Sequence, residues 1–192
     1  MITYLLHGGA TSKNHPGNRR FFTKLTALVN KASVKILLCC WARPQPRWEQ
    51  YAKRDTQKIL SCTTKSVQIH TVENPNELHR LIPQFDVLYV TGGEAELLEP
   101  YYDKLKFLKD RLEGKVYAGS SMGAFLASEN YVLSFEDNKP AEVHQGVGLL
   151  PIQTLCHWNV EKQKQLKLKL LQSSNKPIIT LNEGEFVEVY CK

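Results

Sequence analysis

Short, almost wholly apolar runs recur along this 192-residue chain and constrain its fold more than any other feature. Each run has the length of a strand, and several are apolar at nearly every position, which is typical of parallel strands covered on both faces. The runs predicted as buried strands are residues 2–6, 34–41, 66–72, 86–90 and 115–119. Because helical spacing separates them, the sequence predicts an α/β fold: an open, mostly parallel sheet with helices on both faces.

The segments between these strands supply the helices. Residues at three- and four-residue spacing predict one helix beginning after Asn18 and a second between the second and third strands, from Trp48 to Cys62. Beyond residue 130 the pattern changes to short strands, followed by a helix at 159–172. The last segment is predicted to be a hairpin that turns near Gly184. No linker or repeat interrupts the pattern, so residues 1–192 are predicted to form a single domain.

Charge and cysteine content narrow the function classes. The net charge is +6, but much of the basic excess lies in the predicted helix at 161–171, where a solvated helix face explains it without nucleic acid. The five cysteines have no paired spacing, which favours free thiols in a reducing compartment over disulfides or zinc. Neither a membrane span nor a signal peptide is evident at the sequence level. We therefore expect a cytoplasmic protein with no metal or other cofactor, no nucleic-acid partner and no membrane partner.

Glycine-rich segments follow three of the predicted strands. They are "HGGATS" after the first, "TGGEAE" after the fourth and "GSSMGA" after the fifth. In open parallel sheets, sites lie beyond the carboxyl ends of the strands, so these segments should meet at one edge. The first segment lacks the dinucleotide-binding spacing and no Walker lysine is present, which argues against nucleotide binding.

The segment "GSSMG" matches the pattern G-x-S-x-G and places Ser121 between a strand and a helix, as a nucleophile elbow requires. Ser120 is one residue out of register, and a local backbone hydrogen bond is its expected role. A serine needs a base to remove its proton, and histidine has a suitable pKa. His157 ends a short apolar run at the same predicted edge of the sheet, while His7 and His144 are the alternatives.

Four motifs taken together resemble the dipeptidase E and cyanophycinase family of serine peptidases, whose fold is similar to that of class I glutamine amidotransferases. In chain order they are "DVLYVTGGEAELL", "VYAGSSMGAFLAS", "GVGLLPIQTLCHW" and "ITLNEGEFVEVY". The opening "YLLHGGATSKN" also fits, so the resemblance extends over most of the chain.

The resemblance implies a role for particular residues. Ser121 corresponds to the nucleophile and His157 to the base. The N–H of Met122, together with that of Gly92 or Gly93, corresponds to the oxyanion hole. Met122 is bulkier than the residue usual in the family, and this difference predicts a narrower pocket.

The acid of the triad is implied to lie between the serine and the histidine. The segment "SFEDNKP" offers Glu136 and Asp137, of which we predict Glu136 from its spacing. If neither acts, Glu183 in "LNEGEF" is the next residue to examine.

The predicted function is that of a serine peptidase, cleaving small peptides through an acyl-enzyme. N-terminal aspartyl dipeptides are one candidate substrate, and the positive charge suits an acidic one. The alternative is a catalytically inactive binding or interaction protein on the same scaffold. An amidotransferase is disfavoured, since the elbow holds serine and not cysteine. The expected partner is a small peptide, and a homodimer is left open.

Overall fold

The computed structural model describes residues 1–133 and 142–191, and the strands in this part of the chain form two sheets. The strands are β1 (Ile2–His7), β2 (Ser33–Cys39), β3 (Ser66–Thr71), β4 (Val87–Val90), β5 (Val116–Ser120), β6 (Asn130–Val132), β7 (Val143–Gln145), β8 (Gln153–Leu155), β9 (Ile178–Thr180) and β10 (Phe186–Cys191). The helices are α1 (Pro16–Ala27), α2 (Trp48–Ser61), α3 (Pro75–Leu81), α4 (Ala95–Leu98), α5 (Leu108–Arg111), α6 (Met122–Ala127) and α7 (Val160–Ser173).

The larger sheet has the strand order β10-β1-β5-β4-β2-β3. Strands β1 to β5 are parallel to one another, and β10 joins the edge antiparallel to β1. All five strands predicted from apolar runs are therefore present, and the α/β class is confirmed. The carboxyl ends of β1, β5 and β4 are neighbours, which brings the three glycine-rich segments to one edge.

Side chains on the two faces of the larger sheet pack into separate hydrophobic clusters. On one face, Phe21 and Phe22 of α1 and Ile59 of α2 pack against alternate residues of the strands. On the other face, α3, α4 and α6 pack together with residues of the second sheet. This two-sided burial explains why the parallel strands are apolar at consecutive positions.

The second sheet has the order β7-β6-β8-β9 and is covered by α7. Leu166 and Leu170 of α7 are buried against it, whereas Lys164, Lys167 and Lys169 are exposed. The lysine-rich segment is therefore a solvated helix face, as predicted. Within the described residues, none of the helices combines the length and the apolar character that crossing a membrane would need.

The predicted terminal hairpin is wrong. Strand β9 pairs in parallel with β8 in the second sheet, whereas β10 pairs with β1 in the larger sheet. The turn containing Gly184 carries the chain from one sheet to the other. Apolar periodicity identified both strands, but it contains no information on which edge each strand pairs with.

A buried histidine ends β1. His7 is 0% exposed, its ring centroid lies 4.7 Å from that of Phe21, and its Nδ1 accepts a hydrogen bond of 3.0 Å from the Gly9 N–H. Because Nδ1 is an acceptor in this contact, the neutral ring carries its proton on Nε2. Burial lowers the pKa of His7 to about 4, since the apolar surroundings disfavour the imidazolium.

The stability of the fold should therefore fall in mild acid. His7 in the unfolded chain has a pKa near 6.5, so the unfolded state binds more protons than the native state between about pH 6.5 and pH 4. Stability that is fully present above pH 6.5 is lost as the pH falls through this window, by roughly 3 kcal/mol. We expect urea unfolding to show this loss between about pH 7 and pH 4.

The matched control is His7→Asn, whose Oδ1 can accept from Gly9 but cannot titrate. The pH dependence of its unfolding free energy should be smaller by about 3 kcal/mol over the same window. Equal pH dependence in both proteins would contradict the assignment of this effect to His7.

Candidate active site

Ser121 occupies a strained turn between β5 and α6. Its backbone has φ 50° and ψ −107°, a conformation that costs a non-glycine residue about 1–3 kcal/mol. The conformation is held by hydrogen bonds on both sides: the Ser121 N–H donates to the His7 carbonyl at 2.9 Å, and the Ser121 carbonyl accepts from Ala124 and Phe125 of α6. This is the geometry of a nucleophile elbow, and the side chain remains partly exposed.

Ser120 faces the interior, as its register predicts. It is only 2% exposed, and its Oγ lies 3.5 Å from Nδ1 of His7. The contact is to a buried side chain and not to the local backbone, so the predicted role of Ser120 is wrong in that detail.

His157 follows β8 and reaches Ser121 from the second sheet. Its Nε2 lies 3.1 Å from Ser121 Oγ. The residue has a positive φ of 53°, and its N–H donates to the Gly8 carbonyl at 2.9 Å. Gly9 leaves room for the ring, because a Cβ at that position would lie 2.4 Å from Cε1 and Nε2 of His157. The glycine pair after β1 therefore makes the approach of the imidazole sterically feasible.

Glu183 contacts the other nitrogen of the same ring. Its Oε1 lies 3.1 Å from Nδ1 of His157. The two residues meet because β8 and β9 are parallel neighbours with Leu155 opposite Thr180, so both strands end at the same edge. The carboxylate, the imidazole and the Ser121 hydroxyl thus form one continuous chain of contacts.

The predicted acids Glu136 and Asp137 lie outside the described residues. The sequence does contain a signal for Glu183 as the acid, because Glu183 follows an apolar run just as His157 does. The expected position between serine and histidine favoured Glu136 instead.

Lys13 completes the polar chain beyond the acid. Its ammonium lies 2.5 Å from Oε2 of Glu183, and both side chains are partly exposed. The hydrogen bond from Lys13, supported by the contact with His157, holds the pKa of Glu183 below its usual range. Glu183 is therefore ionised at neutral pH and can fix the orientation of the imidazole.

The predicted oxyanion donors lie beside Ser121. Met122 begins α6, and Gly92 is so close to the serine that a Cβ added to it would lie 2.9 Å from the Ser121 Cβ. Among residues 1–133 and 142–191, the N–H groups of Met122, Gly92 and Gly93 make no hydrogen bond to protein. They are thus available to a ligand oxygen, and of the two glycines it is Gly92 that lies against the serine, whereas Gly93 packs against Ala42.

The structure also bears on the predictions made for Met122 and for the two alternative bases. The Met122 side chain is 1% exposed and packs in the main hydrophobic cluster, so it does not line an open pocket as its size suggested. His144 Nδ1 pairs with Glu99, and His7 Nδ1 accepts from Gly9, so neither of these imidazoles is hydrogen-bonded to the Ser121 hydroxyl. In the described part of the chain, no group of His, Cys, Asp and Glu side chains is arranged to hold a metal ion.

All five cysteines lie among the described residues and are free thiols, as predicted. Cys156, next to the histidine, is fully buried, and burial raises the pKa of its thiol. It is therefore unsuited to act as the nucleophile in place of Ser121.

Comparison with known proteins identifies the family. Residues 4–190 match the model of peptidase family S51. An uncharacterized peptidase of Listeria monocytogenes is 30% identical over 130 residues, which is 62% of each chain. An uncharacterized peptidase of Listeria innocua is 33% identical over 103 residues, covering 48% of this chain and 49% of the relative. The matches thus span less than two thirds of these relatives.

Solved structures support the same fold. A crystal structure of a peptidase from an acI-B1 actinobacterium has a TM-score of 0.67 at 18% identity, covering 98% of this chain and 84% of the other. A Listeria monocytogenes protein assigned to peptidase E has a TM-score of 0.62 at 17% identity, with both chains fully covered. The fold is that of class I glutamine amidotransferases, and the chain belongs to peptidase family S51.

Proposed function

We propose that this protein is a serine peptidase that hydrolyses small peptides through an acyl-enzyme on Ser121. The observation that carries the proposal is the unbroken chain from Ser121 Oγ through both ring nitrogens of His157 to Glu183, with 3.1 Å at each contact. Membership of a peptidase family supports the same reaction class.

The first half of the reaction acylates the enzyme. Ser121 Oγ attacks the carbonyl carbon of the scissile peptide bond, and its proton passes to Nε2 of His157. Glu183 accepts a hydrogen bond from Nδ1 and stabilises the imidazolium formed in this step. The carbonyl oxygen becomes an oxyanion that Met122 and Gly92 or Gly93 stabilise through their N–H groups, each worth roughly 100- to 1000-fold in turnover. The C–N bond then breaks as the imidazolium protonates the leaving amine.

The second half returns the enzyme to its starting state. Water takes the place of the departed amine and attacks the ester carbonyl while His157 Nε2 removes its proton. The second tetrahedral intermediate collapses, the C–O bond to Ser121 breaks, and the serine oxygen regains the proton from His157. The products are a carboxylic acid and an amine, so one water is consumed per bond cleaved.

A small acidic peptide is the substrate class that we propose. The chain carries 25 basic and 19 acidic residues, and a net positive charge favours the approach of an anionic substrate. Aspartyl dipeptides are a candidate because the sequence resembles dipeptidase E. The competing function, an inactive binding protein on the same scaffold, predicts no turnover of any peptide.

Cleavage of a dipeptide library tests the proposal. We expect hydrolysis of a subset with N-terminal acidic residues and loss of turnover by about 10,000-fold or more in Ser121→Ala, because the nucleophile is removed. Ser120→Ala, one residue away, is the matched control and should remain active. Turnover that survives in Ser121→Ala would contradict the mechanism, and no turnover by the unmodified protein would favour the binding protein.

Substitution of the acids separates the candidates. Glu183→Gln keeps the side-chain size but removes the charge that orients His157, so kcat should fall by about 100- to 10,000-fold. Glu136→Gln and Asp137→Asn should each change kcat by less than about threefold. If Glu183→Gln remains active and either Glu136→Gln or Asp137→Asn loses activity, the acid is the residue replaced in the inactive variant, as predicted from the sequence.

A further inference from the structure

A cavity of about 460 Å³ lies between α1, α2 and the loop that follows β1. Neither Ser121 nor His157 lines it, so it is distinct from the place where a peptide would meet the nucleophile. The buried ring of Phe22 forms part of its wall, while backbone and side-chain donors of the loop contribute polar surface.

The charged side chains that line this cavity are lysines and an arginine. Lys13 from the loop, Arg19 from α1 and Lys58 from α2 all line it, and its lining contains no carboxylate. Glu183, which is outside the lining, pairs with Lys13 as well as with His157, whereas the buried Asp55 pairs with Arg54 and not with Lys58. Three cations therefore converge on one concave surface, and within the described part of the chain only Lys13 is ion-paired with a carboxylate.

Arg19 and Lys58 have no carboxylate partner among the described residues. The Arg19 guanidinium has no hydrogen bond or ion pair with residues 1–133 or 142–191. The Lys58 ammonium donates to the Thr11 carbonyl, and partial burial lowers the pKa of this lysine. A bound anion would offset that desolvation and give Arg19 a partner.

The same surface continues past Arg19 into a second cavity of about 390 Å³. Lys65 and Thr63 line this second cavity, which again contains no carboxylate in its lining. Lys65 is bound to the carbonyls of Thr26 and Val29 at the end of α1, so it contributes positive charge from a fixed position. The basic surface thus extends beyond a single cluster of flexible side chains.

We propose that the first cavity is a binding site for a small dianion, a phosphate ester or a dicarboxylate, held by Lys13, Arg19 and Lys58. Both ligand types present several anionic oxygens that accept charge-assisted hydrogen bonds from guanidinium and ammonium groups. The volume exceeds that of an inorganic ion, and Phe22 offers contact to a short carbon skeleton.

Binding at this cavity is coupled to the catalytic chain through Lys13. The Lys13 ammonium would be shared between the ligand and Glu183, so Glu183 would lose part of the interaction that orients it. A partly exposed ion pair contributes up to about 1 kcal/mol, so occupancy should slow reaction at Ser121 by about twofold to fivefold. This coupling rests on the proposed function, whereas the binding site does not.

Calorimetric titration of the whole chain tests the site. Inorganic phosphate and succinate are titrated separately, with sodium chloride at equal ionic strength as the control for screening. We expect a dissociation constant of about 1 mM or tighter for at least one of them. Arg19→Gln should weaken binding by about tenfold, since it removes a charge-assisted donor. Arg20→Gln, at the next position on α1 and also exposed, should leave binding unchanged.

Each outcome decides a part of the proposal. Binding of phosphate alone assigns a phosphate ester, binding of succinate alone assigns a dicarboxylate, and binding of both assigns the shared chemistry. Absence of binding, or equal weakening by the two arginine variants, would overturn the site.

The coupling is read from the rate at which a fluorophosphonate labels Ser121. Saturating ligand should slow labelling by about twofold to fivefold in the unmodified protein. Lys13→Gln should label slowly with or without ligand, whereas Arg20→Gln, outside the lining, should keep both the unmodified basal rate and the slowing by ligand. Binding without any change in labelling would overturn the coupling alone. Failure of Ser121 to label at all would contradict the proposed function and leave the binding result intact.

Discussion

Three consecutive backbone carbonyls at the end of β1 fix the position of the candidate triad. The carbonyl of His7 accepts from the Ser121 N–H, that of Gly8 from the His157 N–H, and that of Gly9 from the Gly184 N–H, next to the acid. In the opposite direction, the Gly8 N–H donates a hydrogen bond to the carbonyl of Glu185, which follows the turn at Gly184. All three catalytic candidates therefore take their placement from one short segment.

This arrangement explains how two sheets build one site. The larger sheet supplies Ser121 and the candidate oxyanion donors from the ends of β5 and β4, while the second sheet supplies His157 and Glu183 from the ends of β8 and β9. Both Ser121 and His157 have positive φ angles, which a free loop would not maintain. Their hydrogen bonds to β1 offset that strain, and the buried, neutral His7 secures the segment through Gly9.

Much of this could be predicted from the sequence, because the signals were local. Apolar runs identified β1 to β5, and the strand-turn-helix context of Ser121 predicted its backbone turn. A strand-end position predicted the proximity of His157 to the serine. The pairing of β9 could not be predicted, because the edge that a short strand joins depends on contacts distant in sequence. For the same reason Glu183 could not be identified as the acid, because its proximity to His157 depends on the pairing of β9 with β8.

Two further features depend on tertiary packing and not on residue type. The bulk of Met122 suggested a narrow pocket, yet its side chain points into the core, because the first turn of α6 packs against the sheet. The basic cavity likewise combines Lys13 and Arg19, which are close in the sequence, with Lys58 of α2, which is distant from them. Their convergence follows only from the packing of the two helices on the same face.

Peptide mapping by mass spectrometry after reaction with a fluorophosphonate tests the central claim most directly. The claim is that the strained elbow and the His157–Glu183 pair activate one serine above all others in the chain. A single phosphonyl adduct on Ser121, formed stoichiometrically and lost on prior denaturation, is the result that the account predicts. An adduct on Ser120 or another serine, or no adduct on folded protein, would contradict it.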